Sequence, residues 1–131
     1  MLDFHPATGS GPAKVAIIAE IGVNHDGDVG TAIELAGAAR RAGATAVKLQ
    51  FFFTDDLLSN QATLAEYQSE EASPRIMLER LELSVDEIKR VGDFAKAGGL
   101  DFILTPFSVS NVEAIKNCDI EVDAVKIASP D

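Results

Sequence analysis

Thr45-Ala46-Val47-Lys48-Leu49-Gln50 and Ala124-Val125-Lys126-Ile127-Ala128-Ser129 share one form. Each is a short apolar run of the kind that fills a strand of a parallel sheet, with a lysine inside it. A lysine in that setting is costly to bury unless something negative meets it. Two such lysines, in a chain of 131 residues with a formal net charge of −10, point to one place where an anionic ligand is met.

Two more strands flank these. Val15-Ala16-Ile17-Ile18-Ala19 leads into Glu20, and residues 101–104 lead into Thr105-Pro106-Phe107. Helical patterns lie between them. Over residues 28–42, Val29, Ala32, Ile33, Ala36 and Ala39 recur at helical spacing. Asp28 or Thr31 can cap this helix, Glu34 would complete a box from Thr31, and Gly43 is a stop. Ser84-Val85-Asp86-Glu87 is a capping box for a helix with Ile88, Val91 and Ala95 on its inner face, ended by Gly98-Gly99. Ser110-Asn111-Val112-Glu113 reads as a third capping box, opening a short helix through Ile115. Strand four covers residues 123–128.

The alternation predicts right-handed βαβ units and a parallel sheet. A complete (β/α)8 barrel needs about 250 residues. Four strands and three main helices therefore predict an α/β fold, the N-terminal half of a (β/α)8 TIM barrel truncated after strand 4. Both outer strands would have open edges. An open flavodoxin-like sheet is the structural rival. Residues 1–14 predict a loose N-terminal arm, and residues 15–131 a single partial-barrel domain. The connection over residues 51–83 is long for a compact domain, which predicts a lid or binding loop with a short helix, Pro74–Leu81, inside it. Phe51-Phe52-Phe53 reads as core and loop anchor, while Asp55-Asp56 and Glu70-Glu71 read as solvated charges. Cys118 reads as packing near a helix end.

Composition sets bounds. Hydrophobic residues make up 47% of the chain, enough for a core. The acidic balance argues against nucleic acid, which requires a basic face. One cysteine excludes an intramolecular disulfide. No apolar run reaches the roughly 18 residues of a membrane span, and the first residues lack the form of a signal peptide. A cytoplasmic protein with no membrane partner is expected. No Walker loop or G-x-G-x-x-G is present, so nucleotide binding has no support. The two histidines, His5 and His25, do not combine with Cys or Asp at metal-site spacing, and His25 reads as a turn residue.

In parallel α/β folds the ligand sits at the carboxyl ends of the strands. Those ends supply Glu20, Lys48 with Gln50, Thr105, and Lys126 with Ser129. Lys48 and Gln50 are two apart and share a face. Such a ring can hold a phosphate and a carboxylate together, the lysines neutralising and the hydroxyls and amides orienting. Thr105 reads equally as a helix cap, and Glu20 as a plain partner for a lysine.

Ile17-Ile18-Ala19-Glu20-Ile21-Gly22-Val23-Asn24-His25-Asp26-Gly27 closely resembles the first strand and loop of the sialic acid (N-acetylneuraminate) synthase family. Ala46-Val47-Lys48-Leu49-Gln50, Glu66-Tyr67-Gln68, Leu81-Glu82-Leu83-Ser84, Leu104-Thr105-Pro106-Phe107 and Lys126-Ile127-Ala128-Ser129 resemble its further motifs, in the same order. The resemblance runs from about Val15 to Asp131. It implies a barrel that condenses phosphoenolpyruvate with an N-acetylated sugar aldehyde such as N-acetylmannosamine, giving a nonulosonic acid and phosphate. It places phosphoenolpyruvate on Lys48, Thr105, Lys126 and Ser129, with Glu20 and Gln50 facing the sugar and the reacting carbons. Glu20, Lys48 and Gln50 are then the catalytic candidates. It also implies a divalent metal, manganese in many members, whose ligands are not in this chain, and a homodimeric full-length enzyme. Two rivals stand beside it. One is a 3-deoxy-aldulosonate-phosphate synthase of related chemistry, disfavoured by the acidic long loop. The other is a non-catalytic half-barrel that binds an anionic metabolite.

Overall fold

A computed structural model of the chain describes residues 15–58 and 73–129. The elements run β1 (Ile18–Gly22), α1 (Val29–Arg41), β2 (Ala46–Phe51), α2 (Thr54–Leu57), α3 (Pro74–Leu81), α4 (Val85–Ala97), β3 (Asp101–Pro106), α5 (Val109–Asn117) and β4 (Ala124–Val125). The expected arm at residues 1–14, Glu66-Tyr67-Gln68 and Glu70-Glu71 lie outside the described residues.

The four strands form one sheet in the order β1-β2-β3-β4, every pair parallel. That sequential order is the winding of a barrel segment. A flavodoxin-like sheet would place strand two outside strand one, so that rival is excluded.

The two faces of the sheet differ in kind. Val47, Leu49, Phe51, Phe102 and Leu104 belong to the main core together with Ala32 and Ala36 of α1 and Ile88, Val91 and Ala95 of α4. The opposite face starts with a small cluster of Ala46 and Ile103, with Ala124 packed against it. Above that cluster, along the same period-2 rows, come Lys48, Gln50 and Thr105. One face is thus closed by helices, and the other turns polar toward the carboxyl ends of the strands.

The helices start where the sequence allows. Asp28 caps α1, accepting from Thr31 N at 2.6 Å, which settles the choice between Asp28 and Thr31. Ser84 and Glu87 complete the expected capping box on α4. The box expected at Ser110 is displaced. Ser108 is the N-cap of α5, accepting from Asn111 N, because β3 reaches Pro106 and leaves only Phe107 before the helix.

Other boundaries shift too. β1 begins at Ile18, three residues late, and β4 is only two residues long. No second strand flanks β4 among the described residues, and its pairing is extended by the Asp123 N to Phe102 O bond, at 2.8 Å, and the Lys126 N to Leu104 O bond, at 2.9 Å. Lys126 is accordingly exposed and not a buried mid-strand lysine. Cys118 is exposed at the end of α5, not packed into the core as expected. The expected solvated charges Asp55 and Asp56 are exposed but engaged. Asp55 pairs with Arg75 at 2.6 Å, and Asp56 accepts from Ser108 at 2.7 Å and from Ser110. The one-turn helix α2 had no periodic signal to announce it. Phe51 and Phe52 are buried, as a core role requires.

Two predictions follow from the packing. A Cβ on Gly92 would lie 2.9 Å from the ring of Phe102, which is fully buried and has no room to yield. Gly92→Ala should lower stability by about 1–2 kcal/mol in urea unfolding, the overpacking outweighing the helix-propensity gain. Asp123 accepts from Phe102 N and Lys96 Nζ, both at 2.8 Å. Burial alone would push its pKa up, but these two donors outweigh that and hold it below the ordinary carboxylate value. A carboxyl depressed on folding stabilises above its unfolded pKa, and that stabilisation is lost as pH falls through the folded value. Asp123→Asn should therefore be destabilising at pH 7, with the difference from the unsubstituted chain shrinking as pH falls below the ordinary carboxylate value, read from unfolding midpoints along a pH series.

Candidate active site at the strand ends

β1, β2 and β3 bring three side chains into contact. The register sets Glu20 opposite Lys48 and Gln50 opposite Thr105. Lys48 Nζ forms an ion pair with Glu20 Oε2 and donates to Thr105 Oγ1 at 3.3 Å. The Lys48 side chain is 16% exposed and that of Glu20 is 49% exposed. Thr105 is buried. The lysine thus reaches across its own strand to both neighbours, with its head at the rim of the polar face. An ammonium so placed is met from two sides and still opens toward solvent through Glu20.

A β-bulge follows Glu20 directly. The register passes from Glu20↔Lys48 to Gly22↔Leu49, with Ile21 as the extra residue. Ile21 turns into the main core, and Gly22 takes φ +58°. A Cβ on Gly22 would stand 3.1 Å from Glu20 Oε1 and 4.0 Å from Gln50 Nε2. Glycine there leaves the Glu20 carboxylate its position beside Lys48 and opens the space between Glu20 and Gln50. In the sequence Gly22 reads only as part of the turn and the family-like segment, though a glycine two places after a strand-end carboxylate was the available signal for this role.

The fourth strand contributes a separate pair. Lys126 Nζ donates to Ser129 Oγ at 3.3 Å, and both residues are exposed. The backbone bond from Lys126 to Leu104 puts Lys126 next to Thr105 in register. No hydrogen bond joins the Lys126–Ser129 pair to the Glu20–Lys48–Thr105 group among the described residues. Gln50 is half-buried and shares the Lys48 face. All six expected strand-end residues therefore lie on the carboxyl side of the sheet, five of them in two bonded groups and Gln50 beside the first.

The described residues contain no cluster of three His, Cys, Asp or Glu side chains that could hold a metal ion. His25 is buried in the turn after β1, with Nδ1 bonded to Gly27 N. The described strand-end residues offer charge neutralisation and hydrogen bonding. No helix among the described residues is long and apolar enough to cross a membrane.

Comparison with known proteins identifies the family. The NeuB family model matches residues 35–131. The chain is 38% identical over 117 residues to an N,N'-diacetyllegionaminic acid synthase of Legionella pneumophila, covering 86% of this chain and 32% of that protein. It is 34% identical to the enzyme of the same name from Campylobacter jejuni, covering 83% of this chain and 34% of that protein. Among solved structures it is similar to the N-acetylneuraminic acid (sialic acid) synthetase of Leptospira borgpetersenii in complex with citrate. That match has a TM-score of 0.74 and 29% identity, covering 91% of this chain and 38% of that one. The chain spans about a third of the length of these curated relatives. With four sequentially paired parallel strands and a family match over most of its length, the chain belongs to the NeuB family.

Proposed function

We propose that this chain supplies the phosphoenolpyruvate-handling part of a nonulosonic acid synthase. The reaction condenses phosphoenolpyruvate with an N-acetylated sugar aldehyde, N-acetylmannosamine or a close relative, and releases phosphate. The observation that supports it most is the Lys48 ammonium held between Glu20 and Thr105 at the ends of three adjacent strands. The family match and the names of the relatives point the same way.

In this reading Lys48 and Lys126 neutralise the phosphate and carboxylate of phosphoenolpyruvate, and Thr105 and Ser129 orient them by hydrogen bonds. Citrate, present in the structure of the Leptospira relative, is likewise a multivalent anion. Glu20 and Gln50 face the sugar. Glu20 orients it or handles a proton, and the opening beside Gly22 gives its carboxylate room to do so. A divalent metal, manganese by family resemblance, would be held by residues not in this chain. A homodimeric complete enzyme belongs to the same proposal.

Calorimetric titration of the chain with phosphoenolpyruvate, beside the Lys48→Ala/Lys126→Ala double variant, tests the anion site. Binding should weaken by at least about 100-fold in the variant, given roughly 1.5–3 kcal/mol for each lost charged hydrogen bond. Equal binding by both proteins would show that the lysines are structural. For Glu20, the Glu20→Gln change in a complete synthase carrying this segment should lower kcat by about 100-fold, the lower range for general acid–base catalysis. Unchanged turnover would remove that role.

A further inference from the structure

His25 lies outside the site described above, yet it is among the most deeply buried polar residues, at 1% exposure. Its Nδ1 accepts from Gly27 N at 3.0 Å. The neutral ring then carries its proton on Nε2, which is buried and has no hydrogen-bond partner among the described residues. Burying that N–H unpaired has a cost. The Nδ1 bond is therefore the polar contact that gives the ring a purpose where it stands. It fixes the turn between β1 and α1, whose backbone bonds run from Asn24 N to Ile21 O, from Asp26 N to Val23 O and from Asp28 N to His25 O.

That turn is the seat of α3. Gly27, at φ +76°, lies so close to α3 that a Cβ would stand 1.9 Å from the Arg80 carbonyl oxygen. Asp26 Oδ2 accepts from Arg80 Nη2 at 2.6 Å. α3 in turn holds the chain that leaves β2. Glu82 accepts from Thr54 N at 2.8 Å and from Thr54 Oγ1 at 2.6 Å, and Arg75 pairs with Asp55 at 2.6 Å. Thr54 follows Gln50 by four residues. A continuous series of contacts therefore runs from the His25 ring through Gly27, α3 and Glu82 to the strand end that carries Lys48 and Gln50.

We propose that His25 is a positioning residue: its neutral imidazole locks the β1–α1 turn in the shape that seats α3, and α3 sets the end of β2 for the anionic ligand. The inference rests on the proposed function for its ligand and on the contacts alone for the seating of α3. Protonation at Nδ1 removes the acceptor from Gly27 and releases the turn. The charged groups facing the ring are Asp26 and Asp28 on the turn, Glu87 on α4, and Arg80 of α3 behind Asp26. Burial, the largest influence, lowers the pKa of His25, and the three carboxylates oppose it without cancelling it. A histidine depressed on folding stabilises above its unfolded pKa, and that stabilisation is lost as pH falls below it. The seat therefore holds at neutral pH and loosens in acid.

The test is hydrogen exchange of the α3 amides, corrected for intrinsic rates, together with phosphoenolpyruvate titration, on the whole chain and on His25→Ala and His25→Asn. Asparagine places an Oδ1 acceptor where Nδ1 stands. His25→Ala should speed α3 exchange about tenfold, the factor one lost buried hydrogen bond implies, and should weaken phosphoenolpyruvate binding several-fold while α4 stays protected. His25→Asn should restore both. The unsubstituted chain should show the α3 loosening between pH 7 and pH 5, and His25→Asn should not. If His25→Ala fails to fold, this pH comparison decides. Unchanged α3 exchange, or an identical pH response in His25→Asn, overturns the seating. Loosened α3 with unchanged affinity overturns the positioning role and leaves the proposed function standing. If the unsubstituted chain does not bind phosphoenolpyruvate, the proposed function fails, and the exchange data still judge the seat.

Discussion

The structure depends on one demand: a lysine in the second strand of a parallel sheet has to be met by its neighbours on both sides. The Glu20 carboxylate comes from β1 and the Thr105 hydroxyl from β3. Both contacts require the parallel register of the three strands to be held to the residue, since a slip of one would turn Lys48 into the helix-facing core. The register is enforced by Val47, Leu49, Phe102 and Leu104, whose burial against α1 and α4 allows one phase only. Packing on one face thus sets the electrostatics of the other.

The bulge at Ile21 is where these two requirements meet. β1 has to present Ile21 to the core and a free carboxylate to Lys48 within three residues. Ordinary strand alternation puts Glu20 and Ile21 on opposite faces, and the extra residue and the positive φ of Gly22 follow directly after them. On the helical side, small residues do the corresponding work. Gly37 lies 3.7 Å from the Phe94 ring by its absent Cβ, and Gly92 admits the ring of Phe102, so α1 and α4 pack tightly on the sheet and on each other.

Most of the fold was legible because the apolar runs, the Asp28 cap and the Ser84–Glu87 box all signal the same alternation. The strand-end residues were legible for a related reason. A lysine inside Ala46-Val47-Lys48-Leu49 conflicts with its surroundings, and such conflicts mark sites. Less could be read where the outcome depends on what lies alongside. β4 shrank to Ala124–Val125, and Lys126 became exposed, because a strand's extent depends on its neighbours and not on its own composition. Ser108 displaced Ser110 as cap because β3 ran two residues further than its apolar pattern. The contacts of Asp26 and Gly27 with Arg80 join residues more than fifty positions apart, beyond the reach of any local pattern.

The sequential strand order has a consequence for biosynthesis. Among the described residues each strand pairs with its neighbours in the chain, so these four strands can pair in the order of synthesis. A nascent chain that has emerged only as far as Phe51 already holds both members of the Glu20–Lys48 pair. Later units dock onto an edge that is already formed, and the polar end of the sheet is assembled in the order in which the ribosome delivers it.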